Sequence, residues 1–379
     1  MQEWIKTTLG TYATINMGQS PESKYYNDEM IGLPFLQGNR TFGKRYPTID
    51  TWTIKTTKIA HAGDVIMSVR APVGDINITK QELCMGRGIC SLSSRDPDNL
   101  FLYYLLKFNA SNLINNETGS VFGSVNKDII GSMQISLPDS QTRMKIGNIL
   151  NTIDCCIELN SRINDYLADL VRTEFHNILK ESGSDFVSFG SIIKVGSGGT
   201  PKTAIDGYWN GGIPFFSPKD VDGIFTMSTE KEISQNGLDN CNSMLYPKNT
   251  VFITARGTVG KIAMAGCDMA MNQSCYAIIG QKSDNQHYIH QLCLDMVDSI
   301  RQKSNGAVFD AINAKDIESE PIILLQEDTI EEFEKIATPI YEMIWTNESQ
   351  NAKLRSVRDV LLPKLMSGEI DVSNLDLGS

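Results

Sequence analysis

The chain has 379 residues, with 34 Lys and Arg against 45 Asp and Glu and a formal net charge of -11. A composition of 41% hydrophobic and 21% charged residues excludes global disorder, and the length calls for two to three domains. No run reaches the ~20 apolar residues of a membrane span and residues 1–10 hold no apolar signal core, while the acidic balance disfavours a chain that holds phosphate by its own charge.

Taken in chain order, β-branched runs between turn residues predict strands at 64–70, 76–79 and 89–92. A helix is predicted over 99–108, with Leu102, Leu105 and Leu106 on one face. After Pro138 the pattern changes. Apolar residues fall at Ile146, Ile149, Ile153, Ile157, Ile163, Leu167, Leu170 and Ile178, in steps that mark one helix face, with an interruption around Asn160. Further on, a strand is predicted over 250–256 and a helix over 287–300. A second long stripe then runs through Phe333, Ile336, Ile340, Met343, Ile344, Leu354, Val357, Leu361 and Leu365. Pro339 is expected to kink or restart this second helix, because proline removes a backbone donor.

These elements form a duplication. Leu33-Pro34-Phe35 recurs as Ile213-Pro214-Phe215, and the segment from Val65 to Ile76 recurs as Val251 to Ile262. The stretch from Gly119 to Asn126 recurs as Asn305 to Asn313, and Asn160 aligns with Asn347. Each half is a mixed α and β segment followed by a long helix of ~25–38 residues, ~40–57 Å long. A helix of that length cannot bury itself on one small domain. Two copies related by a pseudo-two-fold axis would pack antiparallel instead. The expected fold is α/β, with two mixed α+β heads separated by a long antiparallel helical pair. Its divisions are 1–140 (first head), 141–184 (first helical region), 185–325 (second head) and 326–379 (second helical region and tail).

Enzyme motifs are missing. There is no phosphate loop, no amino-methyltransferase motif, no G-x-S-x-G and no H-E-x-x-H. The eight cysteines form no C-x-x-C pair and are expected as small buried hydrophobes in a reducing cytosol, without a metal site. Glu22-Ser23-Lys24 matches the loose E-x-K of metal-dependent nucleases, with no Pro-Asp placed before it.

What remains is a set of polar and basic side chains on turns, the types that read base edges by bidentate hydrogen bonds. In the first head these are Gln37, Asn39, Arg40, Arg70, Arg87, Ser120, Ser124, Asn126 and Lys127. In the second they are Thr200, Lys202, Ser217, Lys219, Arg256, Asn272, Gln273 and Lys315. Arg70 and Arg256 stand out because both end a strand at matching places in the repeat. The competing reading gives each arginine a carboxylate partner inside its own head.

Ile135-Ser136-Leu137-Pro138, Ile149-Leu150, Ile153-Asp154 and Ile157-Glu158-Leu159-Asn160 resemble the central conserved region of specificity (S) subunits of type I restriction–modification systems. Gly198-Gly199-Thr200-Pro201, Trp209, Ile213-Pro214-Phe215 and Asp220 resemble the start of their target recognition domains. The Arg70/Val73-Gly74 and Arg256/Val259-Gly260 segments fit the middle of those domains. Two departures stand: the second helical region lacks the proline of Leu137-Pro138, and the first head has Gly18-Gln19-Ser20-Pro21 in place of the Gly-Thr-Pro opening.

The resemblance implies a non-catalytic subunit that reads a bipartite double-stranded DNA target, one half per head. It implies helices that set the spacing and dock two methyltransferase (M) subunits, with Ile157, Ile163, Leu167, Leu170, Ile344, Leu354, Val357 and Leu361 as interface candidates. S-adenosylmethionine would belong to the M subunits, ATP and magnesium to restriction (R) subunits, and no cofactor to this chain, in a prokaryotic cytoplasm. The alternatives are a stand-alone metal-dependent DNA endonuclease and a helical scaffold that binds no DNA. The charge divides unevenly: residues 1–140 carry 13 basic and 13 acidic groups, 141–184 carry 5 and 6, 185–325 carry 11 and 15, and 326–379 carry 5 and 11. More than half of the acidity therefore lies in the last helical region and tail, and the near-neutral heads predict weak DNA binding by this chain alone.

Overall fold

The computed structural model describes residues 4–115, 124–181, 186–282, 285–303 and 311–375. The chain divides into two compact units, one of residues 1–155 with 355–379 and one of residues 156–354.

The first unit is built on a four-stranded antiparallel sheet in the order Ala13–Met17, Ile89–Ser94, Val65–Ser68, Ile76–Ile78. Val65–Ser68 is buried throughout and Ile89–Ser94 over its first four residues, as strands covered on both faces must be. Alternate side chains go to opposite sides. Val65 and Met67 join the core made with Phe101, Leu102 and Leu105 of the helix Asn99–Asn115. Ile66 joins Leu36, Leu83 and Met85 of a second sheet, where Leu33–Leu36 runs parallel to Leu83–Met85.

The second unit repeats this plan. Ile193–Ser197, Cys275–Gly280, Val251–Thr254, Ile262–Ala265 and Phe225–Thr226 form its main sheet in that order. Val251 and Ile253 pack with Tyr288, Ile289 and Leu292 of the helix Gln286–Lys303. Phe252 faces Phe216, Tyr246 and Met271 instead. The register repeats too: Ser68 stands opposite Ile89, and Thr254 opposite Cys275.

The two long helices are Ser140–Glu181, of 42 residues, and Glu327–Met366, of 40. Each is about 60 Å long at 1.5 Å per residue, longer than the stripe alone predicts. Within the second unit they pair antiparallel around four asparagines. Asn160 Nδ2 donates to Asn351 Oδ1 at 3.0 Å, and Asn347 Nδ2 donates to Asn164 Oδ1 at 2.8 Å. Asn164 Nδ2 also donates to the Ile344 carbonyl and Asn351 Nδ2 to the Ile157 carbonyl, both at 3.3 Å. These bonds map onto one another under the duplication, so the pairing follows a local two-fold relation. The polar gap in each stripe is thus a matched set of partners, with Asn164 and Asn351 buried and Asn160 and Asn347 half-buried, and not a break. Within the first unit, Arg358 Nη1 donates to Asp154 Oδ1 at 2.7 Å, and Leu361, Leu365 and Met366 pack on the core that includes Ile146 and Leu150.

Several expectations change. The helix predicted over 99–108 runs to Asn115, the strands expected over 64–70, 76–79 and 250–256 are trimmed at their ends, and the one expected over 89–92 extends to Ser94. The second long helix continues across Pro339, where Lys335, whose carbonyl loses its donor, lies on the exposed side. Cys84, Cys90, Cys275 and Cys293 are buried as expected, but Cys155 and Cys156 are exposed on the outer side of the first long helix.

Candidate nucleic-acid interface

In the first unit four chain segments lie side by side just beyond their strand ends. Gly86 N–H donates to the Leu36 carbonyl at 2.7 Å and Gly88 N–H to the Gln37 carbonyl at 3.0 Å. Val69 N–H donates to Gly88 at 2.9 Å, and Val125 N–H to Val69 at 3.0 Å. This ledge carries Gln37, Arg87, Arg70 and Ser124, all exposed. Arg70 and Ser124 face each other across an isolated bridge. Ser20 ties the ledge together: its hydroxyl donates to Gln37 Oε1 at 3.3 Å and accepts the Arg87 N–H at 3.1 Å. The segments approach closely enough that a Cβ on Gly86 would stand 2.7 Å from the Gln37 Cα.

The second unit builds the same ledge. Asn272 N–H donates to the Phe216 carbonyl at 2.9 Å, Ala255 N–H to Ser274 at 2.7 Å and Ile312 N–H to Ala255 at 3.1 Å. Arg256 pairs across a bridge with Ala311, as Arg70 does with Ser124. The ledge carries Ser217, Asn272, Gln273 and Arg256, and the Thr200 hydroxyl bonds to Gln273 Oε1.

Arg70 and Arg256 are exposed, and among the described residues neither makes an ion pair, so the reading that buries each against an internal carboxylate fails. The loop after each arginine is held by a buried hydroxyl that the sequence reading did not single out. Ser68 Oγ donates to the Pro72 carbonyl at 2.8 Å and accepts the Asp75 N–H at 2.9 Å. Thr254 Oγ1 donates to the Thr258 carbonyl and accepts the Lys261 N–H at 2.9 Å. Both side chains are fully enclosed. Gly74 and Gly260 close these loops at φ +92° and +78°, the left-handed region that favours glycine, which explains the repeated Val-Gly. The signal for the hydroxyls was present: each stands two residues before its arginine in the repeat.

The other candidates divide. Asn39 Nδ2 donates to Asp75 Oδ2 at 2.5 Å, beside the Arg70 loop. Arg40 is paired with Asp50 at 2.6 Å and Lys219 with Glu230 at 3.8 Å, so both cations are partly neutralised on the surface. The Ser217 hydroxyl is engaged by Asp220 at 2.6 Å. Asn126 caps the helix Lys127–Gly131 by accepting the Ile129 N–H at 2.9 Å, with Lys127 exposed beside it. Lys202 and Lys315 are exposed away from the ledge bonds, Lys315 on the helix Ala314–Ser319. Ser120 lies outside the described residues. Glu22 and Lys24 of the E-x-K tripeptide pair with each other at 2.7 Å in open solvent.

Of the interface candidates, Ile344 is enclosed in the second unit's core and Ile157 is nearly so, which makes them packing residues of this chain. Leu167, Leu354 and Leu361 are half-buried. Ile163, Leu170 and Val357 are exposed. With Leu159 and Tyr166, Ile163 and Leu170 form an exposed apolar stripe at helical spacing. Among the described residues no helix is long and apolar enough to cross a membrane.

The family model described as the type I restriction modification DNA specificity domain matches this chain twice, over residues 1–168 and 181–337. The chain is 38% identical over 165 residues to the putative type I restriction enzyme MjaX specificity subunit of Methanocaldococcus jannaschii, covering 42% of this chain and 39% of that one. It is 24% identical over 345 residues to the type I restriction enzyme MjaIX specificity subunit of the same organism, covering 84% and 80%. The crystal structure of a type I restriction–modification system S subunit from M. genitalium shares the fold with a TM-score of 0.63 at 15% identity, covering 96% of each chain.

Proposed function

The chain belongs to the type I restriction modification DNA specificity family, and on that premise we propose that each unit presents one ledge to one half of a bipartite double-stranded DNA target. The observation that carries this reading is the repeated exposed arginine, Arg70 and Arg256, each held on a loop pinned by a buried hydroxyl. A guanidinium fixed in that way can make the bidentate contact to guanine that the major groove offers. Gln37, Arg87, Asn272 and Gln273 would read neighbouring base edges, while Lys127, Lys202 and Lys315 would meet phosphates and fix register.

In this reading the chain is a non-catalytic specificity subunit. Methylation with S-adenosylmethionine belongs to two M subunits, and ATP- and magnesium-dependent cleavage to R subunits, in a prokaryotic cytoplasm. The exposed stripe of Leu159, Ile163, Tyr166 and Leu170 suits a docked protein partner, since apolar rows of this kind mark interaction surfaces. The net charge of -11 means that partners must supply much of the phosphate attraction.

Footprinting of the assembled complex with the M subunits tests the reading. Arg256→Ala is expected to relax preference at one half-site, at a cost of about 1–3 kcal/mol, and to leave the other half-site unchanged. Uniform loss across both halves, or a single continuous recognition motif, would overturn it.

A further inference from the structure

The second unit holds a cavity of about 1140 Å³ whose walls include Ile192, Asn285, Tyr288, Leu325, Ile330 and Glu331. At the same place in the first unit Tyr12 and Arg143 take up part of the space, and the cavity there, walled by Asp98, Phe101, Gly147 and Asn148, is smaller, about 530 Å³. Backbone bonds fix the correspondence. Arg95 N–H donates to Tyr12 O at 3.2 Å, as Gln281 N–H does to Ile192 O at 2.9 Å. Leu102 N–H donates to Asp98 O at 3.1 Å, as Ile289 N–H does to Asn285 O at 3.0 Å. Arg143 N–H donates to Asp139 O, as Ile330 N–H does to Gln326 O, both at 3.0 Å. Ile192, Asn285 and Ile330 therefore stand where the first unit has Tyr12, Asp98 and Arg143.

In the first unit Asp98 is enclosed and fully served. It accepts the Tyr12 hydroxyl at 2.8 Å, the Ser94 hydroxyl and the Arg143 Nε–H. Arg143 also donates to the Pro138 carbonyl at 2.9 Å and stands 5.4 Å from the Tyr12 ring centre, so a guanidinium and a phenol together occupy the part of the site next to Asp98. In the second unit both of these side chains are isoleucines, and Gly280 takes the place of Ser94. Asn285 is only 9% exposed, and its Oδ1 is enclosed with no hydrogen-bond partner. A buried acceptor left in this way is unfavourable and calls for a donor.

We propose that this cavity receives a segment of a partner protein that presents an arginine, whose guanidinium takes the place that Arg143 fills in the first unit. Ile192, Ile330 and Leu325 offer apolar cover for the side-chain stem, and Tyr288 adds a ring to the wall. Asn285 supplies the acceptor after a rotation about χ2, a broad torsion for an amide. At the exposed rim Glu327 is paired with Lys282, and Glu331 and Lys335 stand on the same wall, so what favours a cationic guest is the wider region, with 11 acidic and 5 basic residues over 326–379. The volume exceeds that of one side chain and leaves room for the residues that flank it. Glu334, on the same wall, is already committed to His287 and to the Tyr288 N–H. This proposal is independent of what the ledges read.

The full chain labelled at isoleucine methyls provides the test, because Ile192 and Ile330 report from the walls. Titration with N-acetyl-tyrosyl-arginine amide is expected to shift both methyls and to saturate. The citrulline analogue, which keeps the shape and loses the charge, is expected to bind about tenfold more weakly. Ile330→Arg, which restores the guanidinium, is expected to abolish binding and raise the melting temperature. Should that variant fail to fold, Ile192→Tyr closes the opposite wall and is read in the same way. Absence of shifts, equal binding of the citrulline analogue, unchanged binding in either variant when folded, or free arginine binding as tightly as the dipeptide would each overturn the proposal.

Discussion

Gly147 lies so close to the helix Asn99–Asn115 that a Cβ there would stand 2.9 Å from the Phe101 nitrogen. At the matching place in the second unit stands Glu334, whose carboxylate accepts the Tyr288 N–H at 2.8 Å and meets His287 Nδ1 at 2.7 Å. One junction between head and long helix is closed by backbone contact, the other by a buried carboxylate. The surrounding groups follow the same division. Tyr104 donates to Asp154 at 2.6 Å and Arg358 completes that group at 2.7 Å, so the first unit uses a carboxylate with a cation. The second unit has Gln291 and Tyr341 at those positions, with Gln291 donating to the Tyr341 hydroxyl at 2.8 Å and His290 Nδ1 standing 2.6 Å from the same oxygen. Two copies of one plan can thus keep the same backbone ladder while exchanging the chemistry that seats the helix. The difference makes the second unit dependent on two histidines that the first does not have.

The largest expected effect is at Glu334. Glu334→Ala leaves the Tyr288 N–H and the His287 ring enclosed without their acceptor. Leaving a buried donor without its acceptor costs about 1–3 kcal/mol, and two are left here. Urea denaturation followed by the fluorescence of Trp345 and Trp209, both in the second unit, is expected to show that loss. A change below about 1 kcal/mol would mean that the carboxylate is replaceable by water and that the two junctions are not different in kind.

Acid provides the next test. Burial, with the positive charges of His287 and Arg172 behind it, pushes His290 down to about 3. The unfolded chain takes up a proton there at the ordinary imidazole value, while the folded chain resists it. Stability is therefore full above that value and falls as pH drops from about 6.5 toward 3, by about 1.4 kcal/mol per pH unit in that window. At the equivalent position Tyr103 is held above its ordinary value by burial and stays neutral throughout, so the first unit contributes no such slope there. His290→Gln is expected to flatten the acid slope of the second unit's transition relative to the parent chain. An unchanged slope would place the proton uptake elsewhere.

Much of this organisation was legible in the sequence, and the reasons for the gaps are physical. The repeat from Val65 to Ile76 and from Val251 to Ile262 located both arginine loops, because strand ends and glycine turns leave local signatures. The apolar stripes located both long helices. The stripes could not say what Asn160 and Asn347 touch, since their partners Asn351 and Asn164 lie 191 and 183 residues away. Nor could they reveal that Arg40 and Lys219 are tied to acids, because an ion pair across a turn has no periodicity. Ser68 and Thr254 read as ordinary strand residues until the loops they hold were visible.

The smallest expected effect places the same residue at the other junction. Gly147→Ala gains helix propensity, worth about 1 kcal/mol in an exposed helix interior. Against that, the new methyl would press on the Phe101 nitrogen and stand 3.2 Å from the Leu100 Cβ, so the helix Asn99–Asn115 or the long helix must shift. Overpacking of this kind costs about 1–3 kcal/mol. The contact is with backbone and not with a flexible side-chain end, so the cost should exceed the gain and leave a net loss of about 1 kcal/mol. Alanine would then destabilise both junctions for opposite reasons: at 334 by removing an acceptor, at 147 by filling a space the backbone needs. A stabilised Gly147→Ala chain, measured by the same denaturation, would show that the first junction can slide open, and that close contact is not what closes it.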